Sequence, residues 1–187
     1  TLCSFTISQN NNIPRIKKNI RALCESYGEP VYAAGSDRTV CAGYSFPDAG
    51  TIARKSSEQE LSALKFGFRS KYIMSAARAV ASGEISLDSI KGMSSDDACS
   101  LLCSLNGVGI KVASCTLLFG FEKYDMFPID VWMKKVLERH YPEMYSAICS
   151  PRGGARVNSS EYVRNYFGKY AGIAQQYLFY NERYIVG

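Results

Sequence analysis

The stretch Leu105-Asn106-Gly107-Val108-Gly109-Ile110-Lys111-Val112-Ala113 decides how this sequence folds. The pattern ends one helix, places two glycines around a single apolar residue and starts another helix. Gly107 and Gly109 allow backbone torsions that other residues avoid, and their bare backbone lets a phosphate come close. The second helix offers unpaired N–H groups and its positive dipole end to that phosphate, while Val108 plugs the turn into the core. We therefore predict a hairpin that holds a nucleic-acid backbone independently of base sequence, although a simple packing turn fits the same residues.

Lys111 lies in the first turn of the second helix. The positive end of the helix dipole disfavours an ammonium at this place and favours the neutral amine. A neutral amine is the nucleophile that Schiff-base chemistry requires. Lys111 is therefore a candidate nucleophile, and the alternative is a solvated lysine that only contacts phosphate.

Asp130 supplies the context for this lysine. It lies in Phe127-Pro128-Ile129-Asp130-Val131-Trp132, just before another helix, where the ordinary role of aspartate is to cap the helix. Capping with one carboxylate oxygen leaves the other oxygen for a second role. The helix Gly109–Phe121 is about 18 Å long at ~1.5 Å per residue, and the segment Glu122–Ile129 can span up to ~26 Å. The chain can therefore return to the helix start and bring this carboxylate near the amine.

Hydrophobic periodicity predicts helices along most of the chain, and hence an all-α fold. The predicted helices are Ile13–Tyr27, Ser57–Leu64, Arg69–Ser82, Ser86–Ile90, Ser95–Leu105, Gly109–Phe121, Val131–Tyr141 and Ser159–Asn181, the last with an interruption at Gly168. The segment Tyr32–Tyr44 is mixed and is expected to form a loop or short strands. The segment Ser150–Ser160 contains proline and glycines and is predicted to be a mobile loop.

Composition indicates a folded domain with a mildly basic surface. The chain has 187 residues, is 47% hydrophobic and carries a net charge of +5, which suits an anionic partner without proving one. No run approaches the ~20 apolar residues of a membrane span, so no membrane association is expected. The sequence begins at Thr1 and enters an apolar segment at once, so we expect an excised piece whose N-terminal part is missing.

The cysteines predict a reduced, intracellular compartment. They are odd in number and form no Cys-x-x-Cys pair, and each fits a small buried hydrophobic position: Cys3, Cys24, Cys41, Cys99, Cys103, Cys115 and Cys149. An iron–sulfur cluster needs closely spaced thiolates near one end of the chain, and no cysteine follows Cys149, so no cluster is expected. A single histidine, His140, argues against a histidine-rich metal site.

Four segments in order resemble the helix-hairpin-helix DNA glycosylase superfamily, and within it the eukaryotic-type 8-oxoguanine DNA glycosylases. Leu105–Lys135 resembles the superfamily's hairpin, Gly/Pro loop and aspartate, with the hairpin at about 96–121 and the loop at 122–130. The other three resemble an asparagine-rich segment, a Gly-aromatic-Arg-x-basic-Tyr motif and a base-pocket helix: Cys3–Ile16, Gly67–Tyr72 and Tyr170–Phe179. The resemblance implies one glycosylase domain over 1–187, with two helical lobes and an active site in the cleft between them.

The resemblance also implies a reaction and a pocket. Lys111 would attack C1′ of the damaged nucleotide and expel the base, and the resulting Schiff base would undergo β-elimination and nick the strand. Asp130 would stabilise positive charge developing on the sugar and orient the amine. Cys115 would line the base pocket, Phe179 would stack on the flipped base and Gln175 would hydrogen-bond its Watson–Crick edge. Without the resemblance, the same three pocket residues fit structural or solvent-facing positions.

Further residues would contact DNA if the resemblance holds. Asn10 would fill the space that the flipped base leaves, Arg15 and Arg69 would read the orphaned cytosine, and Phe68 would wedge beside it. The DNA backbone would be contacted by the hairpin residues Gly107, Val108 and Gly109 together with Lys111. Without the resemblance, the asparagine segment with Asn10 also fits a turn or a helix cap, and Arg15 and Arg69 also fit simple phosphate contacts.

Two residues depart from the family pattern. Phe68 stands where the family usually has tyrosine, so the wedge loses a hydroxyl. Trp132 stands where histidine is common, which changes a phosphate contact. We also expect that the family's N-terminal lobe of mixed strands lies outside the piece given by this sequence.

The implied protein is a monomeric base-excision repair enzyme that acts on double-stranded DNA containing an oxidised purine, in the nucleus if its source is eukaryotic. No cofactor is expected, and the resemblance allows a monovalent cation at the hairpin. The alternatives are a glycosylase/lyase for oxidised pyrimidines, against which Gln175 and Phe179 argue, and a non-catalytic DNA-binding hairpin module, against which the pairing of Lys111 with Asp130 argues.

Overall fold

The structure is a computed structural model that describes residues 1–33, 40–149 and 159–186. Helices form most of these residues. They are α1 (Leu2–Ser8), α2 (Ile13–Tyr27), α3 (Ala49–Lys55), α4 (Glu58–Ala63), α5 (Arg69–Ala81), α6 (Leu87–Gly92), α7 (Ser95–Cys103), α8 (Ile110–Phe121), α9 (Val131–His140), α10 (Pro142–Ile148), α11 (Ser159–Phe167) and α12 (Ala171–Asn181). A 3-10 turn, Gly168–Tyr170, separates α11 from α12, and a π-helical turn, Glu182–Val186, follows α12.

The all-α prediction is confirmed as the fold class, and each predicted helix is present with ends shifted by a residue or two. A two-stranded antiparallel ribbon, β1 (Pro30–Tyr32) with β2 (Cys41–Tyr44), falls largely in the segment where the sequence allowed short strands. The predicted loop Ser150–Ser160 lies mostly outside the described residues, and its last two residues begin α11. No helix of the described chain combines the length and apolar character needed to cross a lipid bilayer.

Three helices, α1, α3 and α10, are not predicted by the sequence pattern. Each contains seven residues. Seven residues make fewer than two turns of 3.6 residues, so the apolar repeat is only a weak signal in helices of this length. The helices exist because their neighbours bury them, as the fully buried Ile7 of α1 shows.

The chain divides into two compact units. The first comprises Thr1–Ile90 and Cys103–Val108. Side-chain oxygens of Asn12 and Asp48 cap α2 and α3, which fixes where these helices begin. Helices α1 to α5 then enclose one apolar core, made of Ile7, Leu23, Ile52, Leu61, Phe66, Ile73, Met74 and Ala77.

The second unit comprises Lys91–Leu102 and the chain from Gly109 onward. Its central helix is α8, in which every residue from Val112 to Leu118 is buried. A separate core lies under α9 to α12, made of Phe127, Met133, Val136, Leu137, Met144, Val163 and Ala171. Because α8 is so fully enclosed, its first turn has a fixed position and can hold a reactive side chain precisely in place.

An ion-pair network ties α11 to α7 and to the loop after α8 in this unit. The Arg164 guanidinium donates to both carboxylate oxygens of Asp96, at 3.0 and 2.6 Å, and lies 3.6 Å from Asp125. The hydrogen bonds to Asp96, helped by the charges of both aspartates, raise the pKa of Arg164. This network orders the first part of the loop 122–130 that leads to Asp130.

Candidate active site

Gly107 is the residue of the hairpin turn that must be glycine. Its φ is +80°, a left-handed conformation that side chains rarely adopt. A Cβ built there would lie 2.2 Å from Cγ of Tyr72, so the ring of α5 packs directly on the bare backbone. Val108 follows with 5% exposure, which confirms that it plugs the turn into the core.

Gly109 needs a different explanation. Its φ of −92° and ψ of 172° are open to any residue, so the expected need for glycine torsions is wrong at this position. A Cβ there would meet nothing within 4 Å. Gly109 is the N-cap of α8 and provides no side-chain cap, so bare backbone and helix N–H groups face open space at the start of α8. Fold and packing therefore do not require glycine at Gly109, whereas a close-approaching ligand would.

Lys111, Cys115 and Asp130 share one site in the second unit. Burial raises the pKa of the Cys115 thiol. The charge of Lys111 and its hydrogen bond to the thiol lower this pKa, whereas the Asp130 carboxylate raises it further. A hydrogen bond requires Lys111 to touch the thiol, and an effect of the Asp130 charge on the same thiol requires that carboxylate to lie near it. The chain therefore returns after α8, as its length allows, and brings the candidate acid and nucleophile to the same sulfur atom.

Asp130 caps α9 with a single oxygen. Its Oδ1 accepts hydrogen bonds from the N–H groups of Trp132 at 3.0 Å and Met133 at 2.9 Å. Its Oδ2 has no hydrogen-bond partner among the described residues. The side chain is half-buried. Capping and a second role are thus compatible, because the cap fixes the carboxylate and leaves one oxygen available.

A cavity of about 330 Å³ opens beside Lys111 within the second unit. Its walls come from the first turns of α8, the loop before α9, α9 itself, the end of α10 and the start of α11. The described lining residues are Ile110, Lys111, Ser114, Phe127, Ile129, Lys134, Ile148, Cys149, Ser159 and Ser160. Ser114 and Lys134 are residues that the sequence did not single out. Their signal is helical spacing, since Ser114 lies one turn after Lys111 and Lys134 one turn after Asp130.

Gln175 and Phe179 lie one turn apart on α12. Gln175 is 3% exposed, which excludes the solvent-facing alternative, and its Oε1 accepts a hydrogen bond from the amide of Gln176. Phe179 is half-buried against the core of the second unit, with Arg183 5.7 Å from its ring. Their predicted roles toward a base stay predictions.

In the first unit, Arg69 organises the turn between α1 and α2. Its guanidinium is 3% exposed and donates to three backbone carbonyls, those of Gln9, Asn10 and Phe66. Burial, with a smaller effect from the charge of Arg15, lowers the pKa of Arg69. Arg69 therefore supports the turn in this structure, and its reading of a base stays a prediction.

The same turn is joined to the hairpin. The Gln9 amide donates to the Gly107 carbonyl at 3.0 Å. Asn10 beside it is exposed and holds a left-handed φ of 45°, which asparagine tolerates better than most residues. The candidate DNA-facing residue Asn10 thus stands on a turn that is fixed on both sides.

The remaining candidates lie on the surface. Phe68 is 48% exposed, with its ring 4.4 Å from the Arg69 guanidinium carbon. Arg15 is exposed and donates to the Lys65 carbonyl at 3.3 Å. Trp132 is half-buried. Their contacts with DNA stay predictions.

Comparison with known proteins gives the family. The chain matches the family model described as "HhH-GPD superfamily base excision DNA repair protein" over residues 3–144, and it belongs to that family. It is 32% identical over 209 residues to the N-glycosylase/DNA lyase of Saccharomyces cerevisiae, covering 97% of this chain and 54% of the relative. It is also 32% identical to the N-glycosylase/DNA lyase OGG1 of Arabidopsis thaliana, covering 97% and 49%.

A solved structure shows the same fold. The 8-oxoguanine glycosylase/lyase of Clostridium acetobutylicum, in complex with double-stranded DNA containing cytosine opposite 8-oxoguanine, is 34% identical and superposes with a TM-score of 0.81. The match covers 97% of this chain and 58% of that protein. The chain thus spans about half the length of the relatives that it matches.

Proposed function

We propose that this chain carries the catalytic machinery of a DNA glycosylase/lyase that excises 8-oxoguanine opposite cytosine during base-excision repair. The observation that carries the proposal is that Lys111 hydrogen-bonds the Cys115 thiol while the charge of Asp130 acts on the same thiol, which supports an amine and a carboxylate working together. The relatives named N-glycosylase/DNA lyase and the structure of an 8-oxoguanine glycosylase/lyase support the reaction class and the lesion.

In the first step, the Lys111 ammonium gives up a proton to solvent, the free amine attacks C1′ of the lesion nucleotide, and the glycosidic bond breaks with its electron pair going to the base. Positive charge develops on the sugar as the base departs. The Asp130 carboxylate stabilises that charge through the oxygen that does not cap α9. A fixed carboxylate suits this role because it needs no reorganisation as the charge appears.

In the second step, the sugar ring opens and Lys111 holds C1′ as a Schiff base. Loss of a proton from C2′ then expels the phosphate on C3′ and nicks the strand. The amine must stay close to C1′ throughout, and the first turn of the enclosed helix α8 provides that position.

The hairpin would hold the DNA for this chemistry. Gly109 has space for a phosphate, and the first N–H groups of α8 lack a side-chain cap. The base must leave the duplex because C1′ and the base edge are inaccessible within the stack. Gln175, Phe179 and Cys115 are the candidates to receive it.

Borohydride trapping tests the nucleophile. Incubating the protein with duplex DNA containing 8-oxoguanine and reducing with borohydride should give a covalent protein–DNA adduct. Lys111→Gln should abolish the adduct, whereas Lys123→Gln, whose ammonium hydrogen-bonds the Lys91 and Met93 carbonyls, should retain it. An adduct that survives Lys111→Gln would overturn the assignment of the nucleophile.

A substrate panel tests the lesion. Duplexes carrying 8-oxoguanine or an oxidised pyrimidine, each opposite all four bases, should give the fastest excision for 8-oxoguanine opposite cytosine. Faster excision of the pyrimidine would contradict the proposed lesion while leaving the glycosylase chemistry intact. No excision of any lesion, with DNA binding retained, would favour a non-catalytic module.

A further inference from the structure

The cavity beside Lys111 has a wall suited to an anion. Its described lining residues include Lys111 and Lys134, serines of α8 and α11, and no acidic residue. Lys134 is exposed and forms no ion pair with any described residue. Lys134 nevertheless acts on the cavity, because its charge counters the effect of burial on the pKa of the Cys149 thiol. A lysine with no ion-pair partner among the described residues therefore lines an open volume next to the candidate nucleophile.

Ser114 is the second observation that points to a ligand. It is 4% exposed and lines the cavity, and among the described residues its hydroxyl has no hydrogen-bond partner. A serine inside a helix ordinarily donates to the carbonyl four residues earlier, as Thr6 donates to Leu2 in α1 at 3.0 Å. The Ser114 hydroxyl is not among the fully buried, unpartnered side-chain atoms, so it keeps exposed surface and can donate to a ligand in the cavity that its residue lines.

We propose that this cavity is a phosphate subsite in which Lys134 and Ser114 bind the DNA phosphate attached to C3′ of the lesion sugar. The inference rests on the proposed function, since it names what the site holds during the second step. Neither residue belongs to the base pocket, and the cavity lies on the face of α8 that carries Ser114. The site thus serves the strand-nicking step and leaves base excision to Lys111 and Asp130.

The charge balance of that step explains the need for a cation. The Schiff base loses a proton from C2′ to solvent water, the C2′–C3′ double bond forms and the C3′–O bond breaks with its electron pair going to oxygen. The phosphodiester, with one negative charge, leaves as a phosphate monoester that carries up to two. The Lys134 ammonium stabilises the added charge, and the Ser114 hydroxyl donates to a phosphate oxygen.

Binding can be tested without any catalytic activity. Cys149 lines the cavity, so inorganic phosphate bound there should slow its alkylation by iodoacetamide, followed peptide by peptide with mass spectrometry. Lys134→Gln should remove this protection. The exposed Cys41 in the other unit reports any general effect of phosphate on the reagent. Unchanged alkylation of Cys149 in phosphate would overturn the subsite, whatever the outcome of borohydride trapping.

A second experiment, with lesion DNA, tests whether the cavity binds a phosphate of the DNA backbone or only a free phosphate ion. Lys134→Gln and Ser114→Ala should each slow nicking about tenfold in single-turnover assays, while base excision and borohydride trapping stay close to wild type. With an uncharged methylphosphonate in place of the linkage 3′ to the lesion, the effect of Lys134→Gln should vanish. If the variant slows both substrates equally, Lys134 does not act on that phosphate and the assignment fails.

Matched controls exclude general damage. Lys135→Gln removes a neighbouring ammonium that lies 4.8 Å from the Trp132 ring and does not line the cavity. Thr116→Val removes a buried, unpartnered hydroxyl of α8 from a residue that does not line the cavity. Both should nick DNA at the wild-type rate. Slowing by these controls equal to that of Lys134→Gln and Ser114→Ala would attribute the effect to the helices rather than to the subsite.

Discussion

Asp130 uses the same oxygen for both of its hydrogen bonds to α9. The arrangement separates two properties of one carboxylate. Holding α9 requires only an acceptor oxygen, which an asparagine amide also has, whereas stabilising a positive sugar requires the negative charge. The two roles can therefore be measured separately in two variants of one residue.

Asp130→Asn should fold as stably as wild type and excise the base about a hundredfold more slowly. Asp130→Ala should lose the same activity and also about 1 kcal/mol of stability. Urea unfolding and single-turnover excision measure the two effects. Asp48 is the matched control, because it caps α3 through Thr51 at 2.8 Å, and Asp48→Ala should lose stability alone. Full activity in Asp130→Asn would show that only the cap matters.

Buried cysteine makes stability depend on pH. Burial raises the pKa of Cys3 to about 12. Above the ordinary thiol pKa, the unfolded chain releases this proton while the folded chain keeps it, so the free energy of unfolding falls as pH rises. Below about pH 8 the Cys3 thiol is protonated in both the folded and the unfolded chain, so it does not lower the free energy of unfolding there.

The loss attributable to Cys3 should be about 1 kcal/mol at pH 9.5. Urea unfolding at pH 7.5 and 9.5 should therefore show a smaller drop for Cys3→Ala than for wild type. The exposed Cys41 is the control, and Cys41→Ala should leave the drop unchanged. Equal drops in all three proteins would contradict burial of the Cys3 thiol.

The hairpin shows that two glycines of one motif exist for different reasons. Gly107 is required by the left-handed backbone and by the Tyr72 ring, both features of the folded chain. Gly109 is required by neither. Sequence alone treats them alike, because it reports the residue and not the torsion or the neighbour.

Gly107→Ala should destabilise the protein by about 3 kcal/mol, through backbone strain and the clash with Tyr72. Gly109→Ser should keep the stability of the wild type, because serine is a good N-cap, but should weaken binding to duplex DNA of any sequence. Thermal unfolding and fluorescence anisotropy measure the pair. Wild-type DNA affinity in Gly109→Ser would contradict phosphate binding at the start of α8.

Sequence patterns predict the long elements and the reactive pair for clear physical reasons. Helix α2 has 15 residues and an apolar face that repeats over four turns, so periodicity identifies it. The length of the segment Glu122–Ile129 allows Asp130 to return to Lys111 but does not by itself require it. Helix α10 is too short for a repeat, and the cavity by Lys134 is assembled from four helices and a loop that only the folded chain brings together.

At the scale of the molecule, the proposed binding of DNA by this chain of net charge +5 should depend on salt. Each phosphate that a lysine or arginine neutralises should cost about 3.5-fold in affinity between 50 and 200 mM salt, because counterions are released on binding. Titrations of undamaged duplex over this range measure the number of such contacts.

Gly109→Ser should lower the DNA affinity equally at every salt concentration and leave the slope of log affinity against log salt unchanged. The reason is that a glycine backbone contact involves no charged side chain. A flat salt dependence for the wild-type protein would contradict contact with the DNA backbone.

The two hydrogen bonds of the α1–α2 turn have a thermodynamic consequence for recognition. Arg69 holds the Gln9 carbonyl and the Gln9 side chain holds Gly107, so the turn that carries Asn10 and the hairpin form one preorganised surface. The conformational entropy of ordering this surface is lost when the chain folds, and little is left to lose when a duplex arrives. Association with DNA should therefore show the small heat-capacity change of a rigid docking event, without the larger one of coupled folding.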